Sequence, residues 1–362
     1  MTIRPALKSG ITIHRNESRN EVRIGSRWRQ YSLPLQWCGV GTQALLGLLD
    51  GKFTFSELAT TTGLESSAIE SFVSELRSHD FVDLHRTPVA YLRRYNPELG
   101  RIEEVSDLDQ VASDVAIETA LKRIEIECDA ATFTPGDIDG GRTSLLNRRS
   151  FQIVIFGHGK IVNALVGVLS ASGFSKLSVI NRVGTKDSSL KILESDIAGG
   201  YVTRSHFGQT RRIIVDEIRN HSLLFVEPKT QVHNPDLIIS IGTPSPDSVQ
   251  RWMAENTRHL LVDIPSSAEV RIGPLVTPGK SPCFRCVQLC EETGWQREQT
   301  LETNSALALT VAGAIALDVI ALSDRKISAY HSTSHIHTVR DYTAPQIQHW
   351  SQHHACGCAW EG

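Results

Sequence analysis

The sequence predicts an α/β protein in two parts, an N-terminal winged-helix unit and a Rossmann-like, doubly wound sheet carrying a four-cysteine metal site. Three observations predict it: a helix-turn-helix cadence before residue 86, a strand, glycine turn, helix and strand from Phe151, and the pairs Cys283-Phe-Arg-Cys286 and Cys356-Gly-Cys358.

Length and composition allow that architecture. A chain of 362 residues, 40% apolar and 21% charged, has the make-up of a globular protein of two domains. The expected boundaries are a winged helix at 1–86, a connector at 87–149 and the sheet domain at 150–362. A net charge of −3 gives no broad basic field for nucleic acid or an anionic membrane. The opening residues, Met1 to Lys8, lack the long apolar core of a signal peptide. Seven cysteines, an odd number with four in tight pairs, fit a reducing, cytoplasmic compartment. Residues 306–322 are apolar almost throughout, yet the run is short for a bilayer and holds Asp318. It reads as a helix buried in the core or at a dimer interface, with no membrane partner.

In the first part, residues 11–14, 22–24 and 28–33 read as short strands. A helix at 41–49 should end at Asp50-Gly51, and Ser56 can cap a short helix that Gly63 turns. A second helix at 66–78 puts Ile69, Phe72, Val73 and Leu76 on one face, and residues 81–84 close the unit as a wing strand. Winged helices often bind DNA, but here the recognition helix carries Glu65, Glu70 and Glu75, with Arg77 only at its end. Phosphate would repel that surface, so no nucleic-acid partner is expected. The basic residues Arg23, Arg27 and Arg29 fall on the strands instead. A strand edge beside an apolar helix face suits addition of an extended peptide, with Arg27, Arg29, Tyr31, Ile69 and Val73 as candidate contacts. The plain alternative is a docking domain with no ligand. In the connector, residues 111–128 read as helix and 134–141 as a loop.

In the second part, Phe151 to Phe156 is a buried strand that enters Gly157-His-Gly159 and a helix reaching residue 172. A second strand follows at 177–180, which makes the first half of a nucleotide-type sheet. Asn163 replaces the third glycine of the dinucleotide pattern. Further strands are expected at 223–226, 236–241 and 259–262, with helices at 210–219 and 246–255. Gly157 and Gly159 are candidate nucleotide contacts, and His158 reads as filler between them. A working site wants a carboxylate after the second strand for the ribose, whereas this strand ends Ile180-Asn181-Arg182. The loop at 241–246 also lacks an acid, the first being Asp247. These losses argue against metal-assisted adenylation, while binding of ATP through Asn181 stays open.

The cysteine pairs let four thiolates face one cation about seventy residues apart in sequence, a closed site for structural zinc. Cys38 and Cys128 read as buried thiols. Cys290, beside Glu291 and Glu292, reads as a packed or spare thiol, because adjacent carboxylates disfavour a thiolate.

The glycine-turn strand, the segment Val262-Asp-Ile-Pro265 through Gly273-Pro-Leu-Val-Thr-Pro-Gly-Lys-Ser-Pro-Cys283, and the terminal Cys-Gly-Cys358 resemble the ThiF/MoeB class of ubiquitin-activating-like enzymes. With the winged helix in front, the chain looks like the ThiF-like leader-peptide-binding partners of YcaO-type cyclodehydratases in thiazole/oxazole-modified peptide biosynthesis. That resemblance implies an Asp at Asn181, an Asn at Ser189, an Arg at Ile192, a Lys at Arg211 and an Asp near Thr243 in adenylating relatives. Most of these groups are changed here, and Arg211 keeps the positive charge. No catalytic residue is therefore expected. The resemblance implies a homodimeric scaffold that binds a precursor-peptide leader and presents it to the cyclodehydratase. The alternative is an active ATP-dependent adenylyltransferase on a peptide or carrier-protein C-terminus. A nicotinamide or flavin oxidoreductase is third, since neither a ribose acid nor a hydride-transfer constellation is evident.

Overall fold

The computed structural model describes residues 3–8, 10–26, 29–84, 93–96, 101–104, 123, 126–132, 139–180, 190–197, 201–223, 232, 234–291 and 302–358. The chain divides into two compact units, Met1–Leu146 and Asn147–Gly362.

The first unit opens with β1 (Ala6–Leu7) and a three-stranded meander of β2 (Thr12–Asn16), β3 (Glu21–Gly25) and β4 (Gln30–Pro34). The meander is antiparallel, with Ile13 opposite Ile24 and Ile24 opposite Tyr31. A small hairpin, β5 (Gln36–Trp37) and β6 (Val40–Gly41), leads into α1 (Thr42–Leu48), α2 (Phe55–Thr62) and α3 (Ser66–Ser78). The α2 cap is Thr54, not Ser56: its hydroxyl accepts from Glu57 N (3.2 Å) while the Glu57 carboxylate accepts from Thr54 N (2.7 Å). Such a reciprocal pair satisfies two otherwise orphaned amides, which Ser56, two residues later and already inside the helix, cannot do. Gly63 ends the helix at φ +70°, a conformation glycine reaches without strain.

Alternation on the strands and the helical period put Val22, Ile24 and Leu33 against Leu45, Leu46, Leu58, Ile69, Phe72, Val73 and Leu76 in one core. After α3, β7 (Val82–Asp83) pairs with β1 rather than extending the meander. Lys8 ties this corner together, donating from Nζ to Asp80 (2.7 Å) and to the Thr132 carbonyl (2.8 Å) at 4% exposure. A lysine so buried is tolerated because it is paired and hydrogen-bonded. The hairpin β8 (Arg93–Asn96) and β9 (Arg101–Glu104) follows, and α4 (Arg142–Ser150) crosses the unit boundary. Of the helix expected at 111–128 only residues 123 and 126–128 are described, and most of the 134–141 loop lies outside the described residues.

The second unit is built on β10 (Ile153–Phe156), α5 (Lys160–Ala171), β11 (Leu177–Ile180), α6 (Arg211–Ser222), β12 (Leu237–Ile241), α7 (Pro246–Ala254), β13 (His259–Ser266), β14 (Glu269–Val276), α8 (Phe284–Cys290), α9 (Ser305–Ser323), β15 (Thr333–Thr338) and β16 (Gln346–His349). The sheet order is β11-β10-β12-β13-β14-β15-β16, parallel through β13 and antiparallel beyond it. Both faces of the parallel part are covered. Ile153, Ile155, Leu237, Ile239 and Leu260 pack with α5, α6 and α9, while Val154 and Ile238 meet Trp252 of α7 on the other side. That two-sided burial explains the unbroken apolar runs of the strands. The strand expected at 223–226 lies outside the described residues after Leu223, which follows the end of α6.

Among the described residues α9 is the one helix long and apolar enough to cross a membrane, and half of its most apolar window is buried. Its acid, Asp318, is 5% exposed and accepts from Ser328 Oγ and Ala329 N at 2.7 Å each. The helix therefore spends its only charge on an internal contact. Leu309 and Leu317 on its opposite side are exposed.

Candidate functional site

Cys283 stands at the N-cap of α8 and Cys286 in its first turn, so a helical step aims both sulfurs the same way. Gly357, at φ +73°, lets the chain bend between Cys356 and Cys358. The four sulfurs converge, with Sγ separations of 3.8 Å (283–286), 3.4 Å (283–356) and 3.3 Å (286–358). Four thiolates at about 2.3 Å from one ion would stand about 3.8 Å apart, so the cage has the size of a tetrahedral sulfur site. All four ligand atoms lie within 4.8 Å of one another and could hold a metal ion.

Their surroundings are apolar: Leu261, Val276 and Phe284 pack round Cys283 and Cys286. Burial pushes the Cys283 thiol far up, and burial with the Cys286 contact raises Cys358 to about 11. Four neighbouring thiols resist ionising together, and a cation reverses that balance. The backbone N–H of His353 points at Cys286 Sγ (3.3 Å), which supports the sulfur from a second layer. Cys38 and Cys128 differ from the buried thiols expected of them. Cys38 is exposed because it occupies the tip of the β5–β6 hairpin at φ +49°, and Cys128 is only partly buried. Cys290 is exposed at the end of α8, while Glu291 is drawn to Arg271.

At the other end of the sheet, Gly157 (φ +132°) and Gly159 (φ +99°) carry the chain from β10 into α5. A β-carbon on Gly157 would come within 2.9 Å of Ile241, so the residue has to be glycine for β10 and β12 to close. Asn163, in the third-glycine position, is 4% exposed with its amide nitrogen unpartnered. Beside the carboxyl end of β12 a pocket of about 210 Å³ is lined by Phe156, Ser240, Thr243, Ser245, Ser248 and Trp252. This is the crevice where open α/β sheets bind ligands. Among the described residues its polar side chains are hydroxyls and the Trp252 indole, and no carboxylate of theirs lines it. Asn181 and Ser189 lie outside the described residues, and Ile192 is wholly buried core.

Arg211, the first residue of α6, does not line this pocket and is turned inward. At 5% exposure its two terminal nitrogens donate to both oxygens of Asp196, 2.5 Å each, and Asp196 is 0% exposed. The Asp196 carboxylate also accepts from Leu193 N at 2.7 Å. Glu302 stands close enough to feel the Asp196 carboxylate, and Lys160, the first residue of α5, donates to the Thr303 carbonyl at 3.1 Å. Burial first, then the charge of Asp196, raise Glu302 to about 7, with Arg211 and Lys160 opposing. Lys160, Asp196 and Glu302 escaped the sequence reading because they sit 36 and 106 residues apart with no motif linking them. The one signal available was a lysine at the positive end of a helix, a placement that calls for a nearby carboxylate.

In the first unit, Arg29 pairs with Asp80 (2.7 Å) and Tyr31 stacks on His79 (3.8 Å between ring centres) while donating to Glu75. Both residues therefore bridge β4 to the end of α3. Ile69 and Val73 are each 2% exposed and belong to the core, since a helix facing a sheet must bury its apolar stripe. Arg27 lies outside the described residues.

No family model and no curated protein matches the chain. Solved structures match it in fold. The microcin C7 biosynthetic enzyme MccB in complex with N-formylated MccA aligns with a TM-score of 0.58 at 12% identity, over 98% of this chain and 99% of that one. E. coli MccB with ATP gives 0.59 at 12% identity over 99% of each chain. Selenomethionine PaaA gives 0.62 at 13% identity, over 96% of this chain and 100% of that one. At such identities the likeness is one of fold, a mixed α/β chain with a parallel-rich sheet.

Proposed function

We propose that the first unit, a winged helix, binds the leader of a ribosomally made precursor peptide and that the second presents it to a YcaO-type ATP-dependent cyclodehydratase. The observation that carries this reading is a nucleotide-type crevice whose described polar lining is mainly hydroxyl, while Arg211, the cation expected to serve a nucleotide, is committed to Asp196. Such a crevice is poorly equipped to hold magnesium and triphosphate. The MccB structure with N-formylated MccA supports a bound partner on this fold, and among the described residues no further strand pairs with the outer edges of β2 and β4, where an added strand would go. On this reading Arg27, Arg29 and Tyr31 meet the peptide, and Ile69 and Val73 act from beneath as packing. Zinc is the metal assigned to the four cysteines, in a closed structural site. The chain works in the cytoplasm as a homodimer, with the exposed side of α9 as the contact.

Fluorescence anisotropy with a labelled candidate leader tests the proposal. Arg27→Glu with Arg29→Glu, and separately Tyr31→Ala, are expected to weaken binding at least about tenfold, or about 1.4 kcal/mol. Unchanged affinity in both folded variants would remove this surface from consideration.

A second reading, ATP-dependent adenylation of a peptide or carrier C-terminus, is favoured by the MccB structure with ATP and by Lys160 beside the glycine turn. Pyrophosphate exchange separates the two. Exchange that depends on ATP and peptide selects the enzyme, and its absence alongside intact leader binding selects the scaffold.

A further inference from the structure

α7 is a surface helix with a narrow footing. Asp247, Gln250 and Arg251 face solvent, and its apolar anchors are Val249, Trp252 and Met253. At 3.6 residues per turn, Ser245, Ser248 and Trp252 form one stripe, and Val249 and Met253 a second, roughly a quarter turn round the helix. The first stripe walls the crevice pocket. The second packs, together with Cys356 and Cys358, against the cluster of Leu261, Val276, Cys283, Phe284 and Cys286. Val249 belongs to both packings, since it also rests on the cluster of Val154, Ile238 and Trp252. The Trp252 ring, 1% exposed, lies near Phe156 (5.2 Å between ring centres) and His259 (5.3 Å), and His259 is the strand partner of Val276. A close-packed interior carries a displacement from one side of such a helix to the other.

We propose that the four-cysteine site seats α7, so that Cys356 and Cys358, held against α8 by a cation, set the wall of the crevice pocket. Tied in this way, the C-terminal turn completes the shelf under Val249 and Met253. Untied, Cys356 and Cys358 draw back from Cys283 and Cys286, the shelf loses one side, and α7 shifts on its footing. Ser248 and Trp252 then move against the ends of β10 and β12. The cysteines therefore decide whether the pocket has a fixed shape, besides anchoring the end of the chain. A preformed pocket binds more tightly than one that must be ordered first, so the crevice takes its ligand in the metal-loaded chain. The inference gives the cysteines a second role and stands under either reading of the crevice, scaffold or adenylation.

Fluorine NMR on the full chain, labelled with fluorotryptophan, reads the pocket wall. Protein stripped with a chelator and checked by metal analysis is titrated with zinc chloride alone. The Trp252 resonance, identified by its absence from Trp252→Phe, should shift or split without the metal and return to one position at one zinc per chain. Trp37, in the first unit, should stay put. Hydrogen exchange on the same samples gives the scale. The Val249, Glu255 and Thr257 amides donate to the Ser245, Arg251 and Trp252 carbonyls, and their protection should fall about tenfold or more on stripping. Protection of Ile153 and Asn163, bonded to the Lys176 and Gly159 carbonyls, should change less than about twofold. A Trp252 signal indifferent to zinc, or a chain that binds no zinc, overturns the proposal. So does protection lost equally from α7 and from Ile153 and Asn163, which would mean general stabilisation only.

Discussion

His259 opens β13 at 0% exposure, with Nδ1–H donating to the Thr257 carbonyl (3.0 Å) and Nε2 facing no partner. Burial holds its pKa down at about 4, against an unfolded value near 6.5. As pH falls from 6.5 to 4 the unfolded chain takes up a proton that the folded one refuses. The stability tied to this ring is thus full above 6.5 and drains on acidification, on the order of 3 kcal/mol in all. Glu302 works in the opposite sense. Its folded pKa of about 7 lies above the unfolded one, so its contribution is intact below about 4.5 and is lost as pH rises through 7. Because Glu302 is only partly buried, that loss is about 1 kcal/mol after discounting for solvent. Urea unfolding across pH 4 to 8.5 should separate the two: His259→Gln flattens the acid limb, and Glu302→Gln stabilises the protein at pH 8 with no gain at pH 4. Matching curves for wild type and both variants would refute these assignments.

Elements announced themselves to the degree that their signals were local. The α3 stripe of Ile69, Phe72, Val73 and Leu76 and the β10 to β11 crossover were readable because period and glycine turn lie within one segment. The antiparallel run β14 to β16 was not. Its strands, such as Thr-Ser-His-Ile-His-Thr, alternate weakly, and β15 is set by pairing with β14 nearly seventy residues earlier. The α2 cap was misplaced by two residues because Thr54 and Ser56 are both capping types, and only Glu57 at the third position decides between them. Thr54→Ala should cost about 1 kcal/mol in denaturant unfolding, while Ser56→Ala should fall within about 0.5 kcal/mol of the wild type. Equal costs would mean that the cap contributes nothing.

Across the whole molecule, one long-range feature was plainly legible. Cysteines 72 and 73 residues apart were matched from spacing alone, because a cation imposes its own geometry on whatever carries the sulfurs. The Lys160, Asp196, Arg211 and Glu302 cluster shows the converse: four charges whose meeting is decided by packing leave no trace in spacing. Arg211 was found as a cation beside the cleft, and its inward turn was invisible without Asp196. Metal analysis of Cys356→Ser with Cys358→Ser should show loss of about one zinc per chain with a lowered melting temperature; full retention would disprove the ligand set. Between those cysteines and the sheet runs a short path, since Trp350 donates to Ser334 Oγ (2.7 Å) just past β16, the outermost strand, where Ile347 is 57% exposed. Stripping the cation with a chelator would therefore unmoor a margin, and a frayed β-margin recruits other copies of itself. Turbidity that grows with protein concentration after chelation, and clears when zinc is restored early, is the expected sign that the cysteine clasp also keeps the molecules apart.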